Sequence, residues 1–172
     1  MGQKILIVDD DDALRGYTAQ LLVEAGHTVF QLGDADNLII EARRREADLI
    51  LLDYHLPGIS GLVALLQIRS SLMTLPVIMM TADINPQIIL QCFRAGADDF
   101  IVKPFDDVYL SVIVERTLDR ASNSLKDSVF RLLKYARHQD NCGKDGSEKC
   151  ICGLQEVIWD ATEATRSFKG KE

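Results

Sequence analysis

Polar side chains of chemical interest follow four of the five short apolar runs in this chain of 172 residues. They are Asp9 and Asp10 after the first run, Asp53 after the third, Thr81 after the fourth and Lys103 after the fifth. Hard carboxylate oxygens suit Mg²⁺. A carboxylate can also act as a nucleophile, while a hydroxyl donor and a cation stabilise negative charge that spreads over phosphoryl oxygens. The set therefore predicts a divalent ion and a phosphoryl ligand.

The acidic run Asp9–Asp12 has two interpretations. Four adjacent carboxylates repel each other, and Asp11 or Asp12 is of the type that caps a helix at the surface. Asp9 and Asp10 follow directly on the run Lys4–Val8, so we expect them at the carboxyl end of a strand. We therefore predict a functional role for the first two and a capping role for one of the others.

Short apolar runs alternate with segments of helical period over the first 119 residues. The predicted strands are Lys4–Val8, Thr28–Gln31, Asp48–Leu52, Pro76–Met80 and Asp99–Val102. The predicted helices are Ala13–Ala25, Ala35–Arg45, Gly61–Ser70, Asn85–Ala95 and Asp106–Asp119. This alternation predicts an α/β fold, a doubly wound parallel sheet of five strands in the flavodoxin-like order 2-1-3-4-5. Ligands of such folds bind at the carboxyl ends of the strands.

The motifs at the strand ends resemble those of a known family. They are Asp-Asp at residues 9–10, Asp-x-x-Leu-Pro-Gly-x-x-Gly at residues 53–61, Thr-Ala at residues 81–82 and Lys-Pro at residues 103–104. In this order and spacing, residues 1 to about 119 resemble the receiver domain of bacterial two-component response regulators, the CheY-like superfamily. The resemblance covers about two-thirds of the chain.

The resemblance implies a role for each matched residue. Asp53 would accept a phosphoryl group from a histidine kinase or a histidine phosphotransfer protein. Asp10 and Asp53 would bind Mg²⁺ together with the backbone carbonyl of His55, and Asp9 would assist, largely through water. Lys103 would contact the phosphoryl oxygens. The His55 side chain itself is interpreted as a surface residue.

The resemblance also implies a conformational switch. Thr81 would move toward the phosphoryl group, and Phe100 would turn inward into the space released. An aromatic residue on a last strand is otherwise an ordinary core residue, so the switch assignment of Phe100 depends on the family pattern. The Lys103–Pro104 peptide bond would be cis, as is usual in the family.

The chain is predicted to divide into a receiver domain, residues 1–121, and a helical extension, residues 122–172. A seam of apolar residues from Val114 to Ala136 at three- and four-residue steps favours one long, continuous or bent helix. Alternatively, Ser122–Ser124 breaks it and Ser124 caps a separate helix. The segment Gln139–Lys149 is predicted to be a loop, and a short helix begins near Leu154.

Three of the four cysteines lie in the extension. With His138, they form a His-x₃-Cys-x₇-Cys-x-Cys arrangement at Cys142, Cys150 and Cys152, a possible tetrahedral Zn²⁺ set. Reduced thiols without a role, or a redox function, are the alternatives. The sequence shows no secretory leader and no long apolar segment, which predicts a cytoplasmic protein with no membrane span.

Charge is unevenly distributed along the chain. Residues 1–119 contain 9 Lys and Arg against 18 Asp and Glu, within a net charge of −7. An acidic body without a basic stripe argues against direct DNA binding, because Lys and Arg supply most affinity for phosphates. The extension is also too short for a typical DNA-binding output domain.

These observations predict a signalling switch rather than an enzyme, since the protein would catalyse only its own phosphorylation and dephosphorylation. Phosphorylation would alter the surface of the fourth helix, fifth strand and fifth helix. A homodimer through that surface, or through an extended fifth helix, is possible. The alternatives are a phosphorelay carrier and a metal- or redox-linked adaptor that acts through the Cys-rich extension.

Overall fold

The computed structural model describes residues 2–71, 73–83 and 85–123. The strands are β1 Lys4–Val8, β2 Thr28–Leu32, β3 Leu49–Asp53, β4 Val77–Thr81 and β5 Asp99–Val102. The helices are α1 Asp12–Glu24, α2 Leu38–Arg45, α3 Gly61–Ser70, α4 Pro86–Arg94 and α5, which begins at residue 107. The predicted Zn²⁺ ligands, the loop and the last helix lie outside the described residues.

The five strands form one parallel sheet in the order β2-β1-β3-β4-β5, which confirms the predicted topology. The central strand β3 pairs with β1 on one side and with β4 on the other. Asp53 lies opposite Met80 in the β3–β4 register, and Thr81 lies opposite Val102 in the β4–β5 register. The carboxyl ends of all five strands therefore meet along one edge of the sheet.

The apolar side chains of the strands alternate between two faces, as a period of two requires. One face packs against α2, α3 and α4 and contains Leu6, Val8, Ile50, Leu52 and Met79. The other packs against α1 and α5 and contains Ile5, Ile7, Leu49, Leu51 and Ile101. Because helices cover both faces, β3 and β4 are buried throughout.

Side-chain caps start four of the described helices, and at α3 the cap is Ser60, whose hydroxyl accepts from Val63 N. Asp11 accepts hydrogen bonds from the backbone N–H groups of Ala13 and Leu14, which confirms the capping role predicted for Asp11 or Asp12. Asn85 accepts from Gln87 N at the start of α4, and the carboxylate of Asp106 accepts from Tyr109 N in the first turn of α5. Each cap satisfies backbone donors that the first turn of a helix leaves without partners.

The predicted start of α2 at Ala35 was wrong by three residues. The carboxylate of Asp34 accepts a hydrogen bond from Asp36 N, which closes a tight local turn. Leu38 N then donates to the Ala35 carbonyl, and regular helix begins only at Leu38. Asx turns compete with helix for the same backbone groups, and helical periodicity does not reveal which of the two forms.

The helix α5 is longer than the predicted Asp106–Asp119, because residues 107–123 are helical. Ser122 and Asn123 therefore continue the helix, and Ser124 lies outside the described residues. The predicted division of the chain into two domains at residue 121 stays a prediction. Within the described ranges, no helix has the length and apolar character needed to cross a membrane.

Gly61, the first residue of α3, lies against the backbone of the strand end that carries Asp53. Its N–H donates to the Tyr54 carbonyl at 2.9 Å. A Cβ built on Gly61 would overlap the Asp53 carbonyl oxygen and lie 2.9 Å from Tyr54 Cα. These are backbone atoms that cannot rotate away, so only glycine fits at this position.

We predict that Gly61→Ala lowers the free energy of unfolding by about 1–3 kcal/mol, since a methyl group would force the Asp53–Tyr54 backbone to move. Urea denaturation of the full chain measures this. Gly16→Ala is the matched control, because Gly16 lies inside α1 with nothing within 4 Å of an added Cβ. That variant should gain about 0.5–1 kcal/mol from helix propensity. Equal stability of Gly61→Ala and wild type would contradict the close approach.

Candidate functional site

The sequence-predicted site residues lie at the ends of four strands. Asp9 immediately follows β1, Asp53 is the last residue of β3, Thr81 is the last residue of β4, and Lys103 immediately follows β5. Lys103 N also donates to the Thr81 carbonyl at 2.7 Å, which joins the ends of β4 and β5. The strand order therefore brings together residues that are up to 94 positions apart in the chain.

The ammonium group of Lys103 bridges two buried carboxylates. Its Nζ lies 2.8 Å from Asp9 Oδ2 and 2.9 Å from Asp53 Oδ2. The Asp9 and Asp53 side chains are 1% and 7% exposed, and that of Lys103 is 13% exposed. Lys103 starts from β5 and reaches across β4 to the ends of β3 and β1. A long unbranched side chain with a compact charge can span this distance and serve both acids.

Asp10 completes an acidic cluster with Asp9 and Asp53. One carboxylate oxygen from each of the three lies within 4.8 Å of the other two. Asp10 is exposed, so the cluster opens to solvent on its side. Three hard oxygen ligands with one open side fit Mg²⁺, which keeps several waters and takes one or two protein carboxylates. The donor set therefore suits the predicted metal.

Burial raises the pKa of Asp53 above its ordinary value of 3.8. The largest cause is removal of the carboxylate from water, and repulsion from Asp9 acts in the same direction. The contact with Lys103 and the hydrogen bond from His55 N at 3.4 Å oppose the rise without overcoming it. The ionised form of Asp53 is thus poorly compensated in the absence of a further cation.

The remaining predicted residues surround this centre. Thr81 is buried, and its hydroxyl accepts a hydrogen bond from Asp83 N at 3.0 Å. Phe100 on β5 is half-buried and makes an edge-on contact with Phe93 of α4, with ring centroids 5.7 Å apart. His55 is exposed, in agreement with the interpretation of its side chain as a surface residue. The Lys103–Pro104 bond is cis, as the resemblance implied.

One residue that touches the site, Arg15, was missed from the sequence. It lies on the first turns of α1 and donates a hydrogen bond to the Asp9 carbonyl. The only signal in the sequence is its spacing from Asp12, an acid three residues earlier on the same helix. That spacing predicts a surface ion pair and says nothing of a contact with Asp9.

Comparison with known proteins agrees with this geometry. Residues 5–115 match the family described as the response regulator receiver domain. The chain belongs to this family. The prediction made from the strand-end motifs is therefore confirmed, and the receiver domain is a module of two-component and phosphorelay signalling systems.

Curated relatives include both regulators and sensor kinases. The two-component response regulator PhoP of Pseudomonas aeruginosa is 33% identical over 126 residues, which are 73% of this chain and 56% of PhoP. The CAI-1 autoinducer sensor kinase/phosphatase CqsS of Vibrio cholerae is 36% identical over 115 residues, 64% of this chain and 17% of CqsS. The chain thus corresponds to only part of each relative.

Solved receiver structures match over nearly their whole length. The receiver domain of NtrX from Brucella abortus is 35% identical with a TM-score of 0.63, and the match covers 67% of this chain and 98% of that domain. The chemotaxis response regulator CheY4 of Vibrio cholerae is 26% identical with a TM-score of 0.64, covering 68% of this chain and 99% of CheY4. The receiver fold therefore accounts for about the first two-thirds of the chain.

The raised pKa of Asp53 gives a prediction for stability. A carboxyl group whose pKa is higher in the folded state than in the unfolded state destabilises the fold at pH values above the folded pKa. Without Mg²⁺ at neutral pH, Asp53→Asn should therefore raise Tm by roughly 2–5 °C. The gain should shrink as the pH falls through the raised pKa toward 3.8, because wild-type Asp53 then becomes neutral as well.

Thermal denaturation between pH 7 and pH 4 measures this difference. Asp119→Asn is the matched control, because it removes the same charge from an exposed position on α5. Its Tm should stay close to that of the wild type. A lower Tm for Asp53→Asn at neutral pH would show that the Lys103 contact outweighs burial, contrary to the prediction.

Proposed function

We propose that this receiver domain is a phosphorylation-dependent signalling switch with Asp53 as its phosphoryl acceptor. The observation that carries the proposal is the position of Asp53. Its side chain is buried, its Oδ2 lies 2.9 Å from Lys103 Nζ, and it belongs to a cluster of three carboxylates. A histidine kinase or a histidine phosphotransfer protein would supply the phosphoryl group. An Asp53 oxygen would attack phosphorus, the bond from phosphorus to the histidine nitrogen would break, and an acyl phosphate would form.

The surrounding residues have matching roles in this reaction. Asp9, Asp10, Asp53 and the His55 carbonyl would hold Mg²⁺, which would neutralise charge on the phosphoryl oxygens. Lys103 already contacts Asp53 and would turn to an incoming phosphoryl oxygen. Catalysis would extend only to the domain's own phosphorylation and dephosphorylation, so the protein would act as a switch.

The switch would run from Thr81 to Phe100. A phosphoryl oxygen would accept a hydrogen bond from the Thr81 hydroxyl, whose oxygen accepts one from Asp83 N, and Thr81 is joined to Lys103 by a backbone hydrogen bond. Phe100 now packs edge-on against Phe93 and would turn inward when Thr81 moves. This would rearrange the face that α4, β5 and α5 form.

Exposed apolar side chains on α4 and α5 support partner binding by the face that α4, β5 and α5 form. Leu90 and Phe93 of α4 are 42% and 40% exposed, and Tyr109 and Val112 of α5 are 41% and 53% exposed. Exposed apolar side chains that lie together on a surface mark sites of protein association. A homodimer through this face, or through the extended α5, follows as part of the proposal.

We propose no direct binding to DNA by this chain. Its receiver part is strongly acidic. A cytoplasmic location, expected for a partner of a kinase's phosphohistidine domain, is likewise part of the proposal.

A phosphorelay carrier is the second candidate function. The match to CqsS favours it, since that protein is named a sensor kinase/phosphatase and contains a region 36% identical to this chain. In that role Asp53 would pass its phosphoryl group on to a histidine phosphotransfer protein. Rapid loss of label from phosphorylated chain to such a protein would distinguish the carrier from a terminal switch.

We predict that acetyl phosphate with Mg²⁺ adds one phosphoryl group to the wild type and none to Asp53→Asn. Intact mass spectrometry measures the adduct. Asp10→Asn should need more than about tenfold more Mg²⁺ for the same adduct, because it loses one ligand. Asp119→Asn is the charge-matched control and should be phosphorylated like the wild type.

The outcome that contradicts the proposal is an adduct of equal yield on Asp53→Asn. Light scattering of the phosphorylated wild type should then show a change in oligomeric state that Phe93→Ser prevents. If light scattering shows the same oligomeric state before and after phosphorylation, the result favours the carrier function, since a carrier needs no change in self-association.

A Zn²⁺ site in the extension remains a separate proposal, based on His138, Cys142, Cys150 and Cys152. Metal analysis of the purified chain should find about one Zn²⁺ per chain, lost in Cys150→Ser and kept in Cys92→Ser. Cys92 is the matched control, since it is buried in the sheet-facing core of the receiver. Absence of zinc from the wild type would leave the thiol and redox alternatives.

A further inference from the structure

We propose that Arg15 is a positioning residue that fixes the peptide unit between Asp9 and Asp10 for Mg²⁺ binding. The inference rests on the Mg²⁺ site of the proposed function. It assigns a role at that site to a residue that is not itself a metal ligand. Arg15 touches none of the three carboxylates of that site. It acts on the backbone that carries two of them.

The contacts of Arg15 join the β1–α1 turn to the start of α1. Nη1 donates to the Asp9 carbonyl oxygen at 2.5 Å, and Nη2 donates to the Asp12 carboxylate. The side chain is only 15% exposed, whereas that of Asp12 is 90% exposed. The Nε atom is buried and has no hydrogen-bond partner among the described residues. Such a donor is costly to bury, so the contacts of the two Nη atoms hold the guanidinium in place against that cost.

The Arg15 side chain lies beside the end of β2. Gly33 follows that strand, and a Cβ there would lie 3.5 Å from Arg15 Nη1. Asp9 N donates to the Leu32 carbonyl at 3.1 Å. The end of β2 therefore fixes the backbone N–H of Asp9, while Arg15 contacts its carbonyl. The end of β2 carries none of the sequence-predicted site residues, and Arg15 lies over it.

The Asp9 carbonyl is the group that decides the geometry of the two ligands. It belongs to the planar peptide unit that links Asp9 to Asp10, so its direction also sets where Asp10 leaves the chain. The Asp9 carboxylate is fixed separately, by Asp11 N at Oδ1 and by Lys103 at Oδ2. Asp10 is exposed, and its direction depends more on the backbone. Arg15 supplies that constraint.

The positive charge of Arg15 and its contact with the Asp9 carbonyl predict opposite changes in Mg²⁺ affinity when Arg15 is removed. A positive group near the acidic cluster repels Mg²⁺, so loss of its charge alone should tighten metal binding. Loss of the carbonyl contact should weaken metal binding, because the two ligands would no longer be held in one arrangement. The sign of the change therefore separates the two roles.

The test is Mg²⁺ titration of the full chain by calorimetry, without a phosphoryl donor. Arg15→Gln should raise the Kd for Mg²⁺ by about tenfold. Arg15→Lys keeps the charge but lacks the two-pronged donor, so its Kd should lie between those of wild type and Arg15→Gln. Arg94→Gln is the matched control, because it removes the same charge from the exposed C-terminal end of α4. Its Kd should stay within about twofold of wild type.

An unchanged or lower Kd for Arg15→Gln would overturn the proposal and leave Arg15 as a source of charge only. If Arg15→Gln does not fold, Arg15→Lys decides, since a wild-type Kd there overturns the proposal and a raised Kd supports it. Wild-type chain that binds no Mg²⁺ would instead contradict the proposed metal site itself. The two failures are therefore distinguishable.

Discussion

The shared contact of Lys103 with Asp9 and Asp53 is the interaction on which the site depends. Three charged groups from the ends of β1, β3 and β5 meet with less than a seventh of each side chain exposed. Two carboxylates at such a distance could not both be ionised in a buried place without a cation between them. The strand order puts β3 next to β1 and β4 between β3 and β5. A different order would separate the three groups.

The single positive charge of Lys103 does not fully compensate the negative charges of Asp9 and Asp53. The Coulomb attraction between two unit charges about 4 Å apart is about 4 kcal/mol at an effective dielectric constant of 20, whereas desolvation costs several kcal/mol for each buried ion. Lys103 brings one positive charge to two carboxylates, and the pKa of Asp53 stays raised. A site with an excess of buried negative charge and an open side at Asp10 attracts a divalent cation. Under the proposed function, the destabilising burial of the Asp53 carboxylate is the cost of a site preorganised for Mg²⁺ and a phosphoryl group.

The sequence was sufficient for the sheet and for the strand ends, because both depend on local pattern. Apolar runs mark buried parallel strands, and a charged residue that closes such a run must emerge at its rim, as Asp53 does. Arg15 could not be found this way, because its partner is a backbone carbonyl brought near by the β1–α1 turn. The late start of α2 was missed for a similar reason, since the Asp34 turn competes with helix within three residues.

The helix α5 is tied to β5 at a point next to the proposed switch residue. Asp99 is buried and accepts hydrogen bonds from Arg116 at 2.5 Å and from Thr117 at 3.5 Å, and Arg120 lies 3.7 Å away. Asp99 directly precedes Phe100, so both belong to the same four-residue strand. A buried carboxylate paired with two arginines is costly to separate from them, because its charge would be left without partners. A backbone displacement at Phe100 therefore has to move α5 or strain this contact.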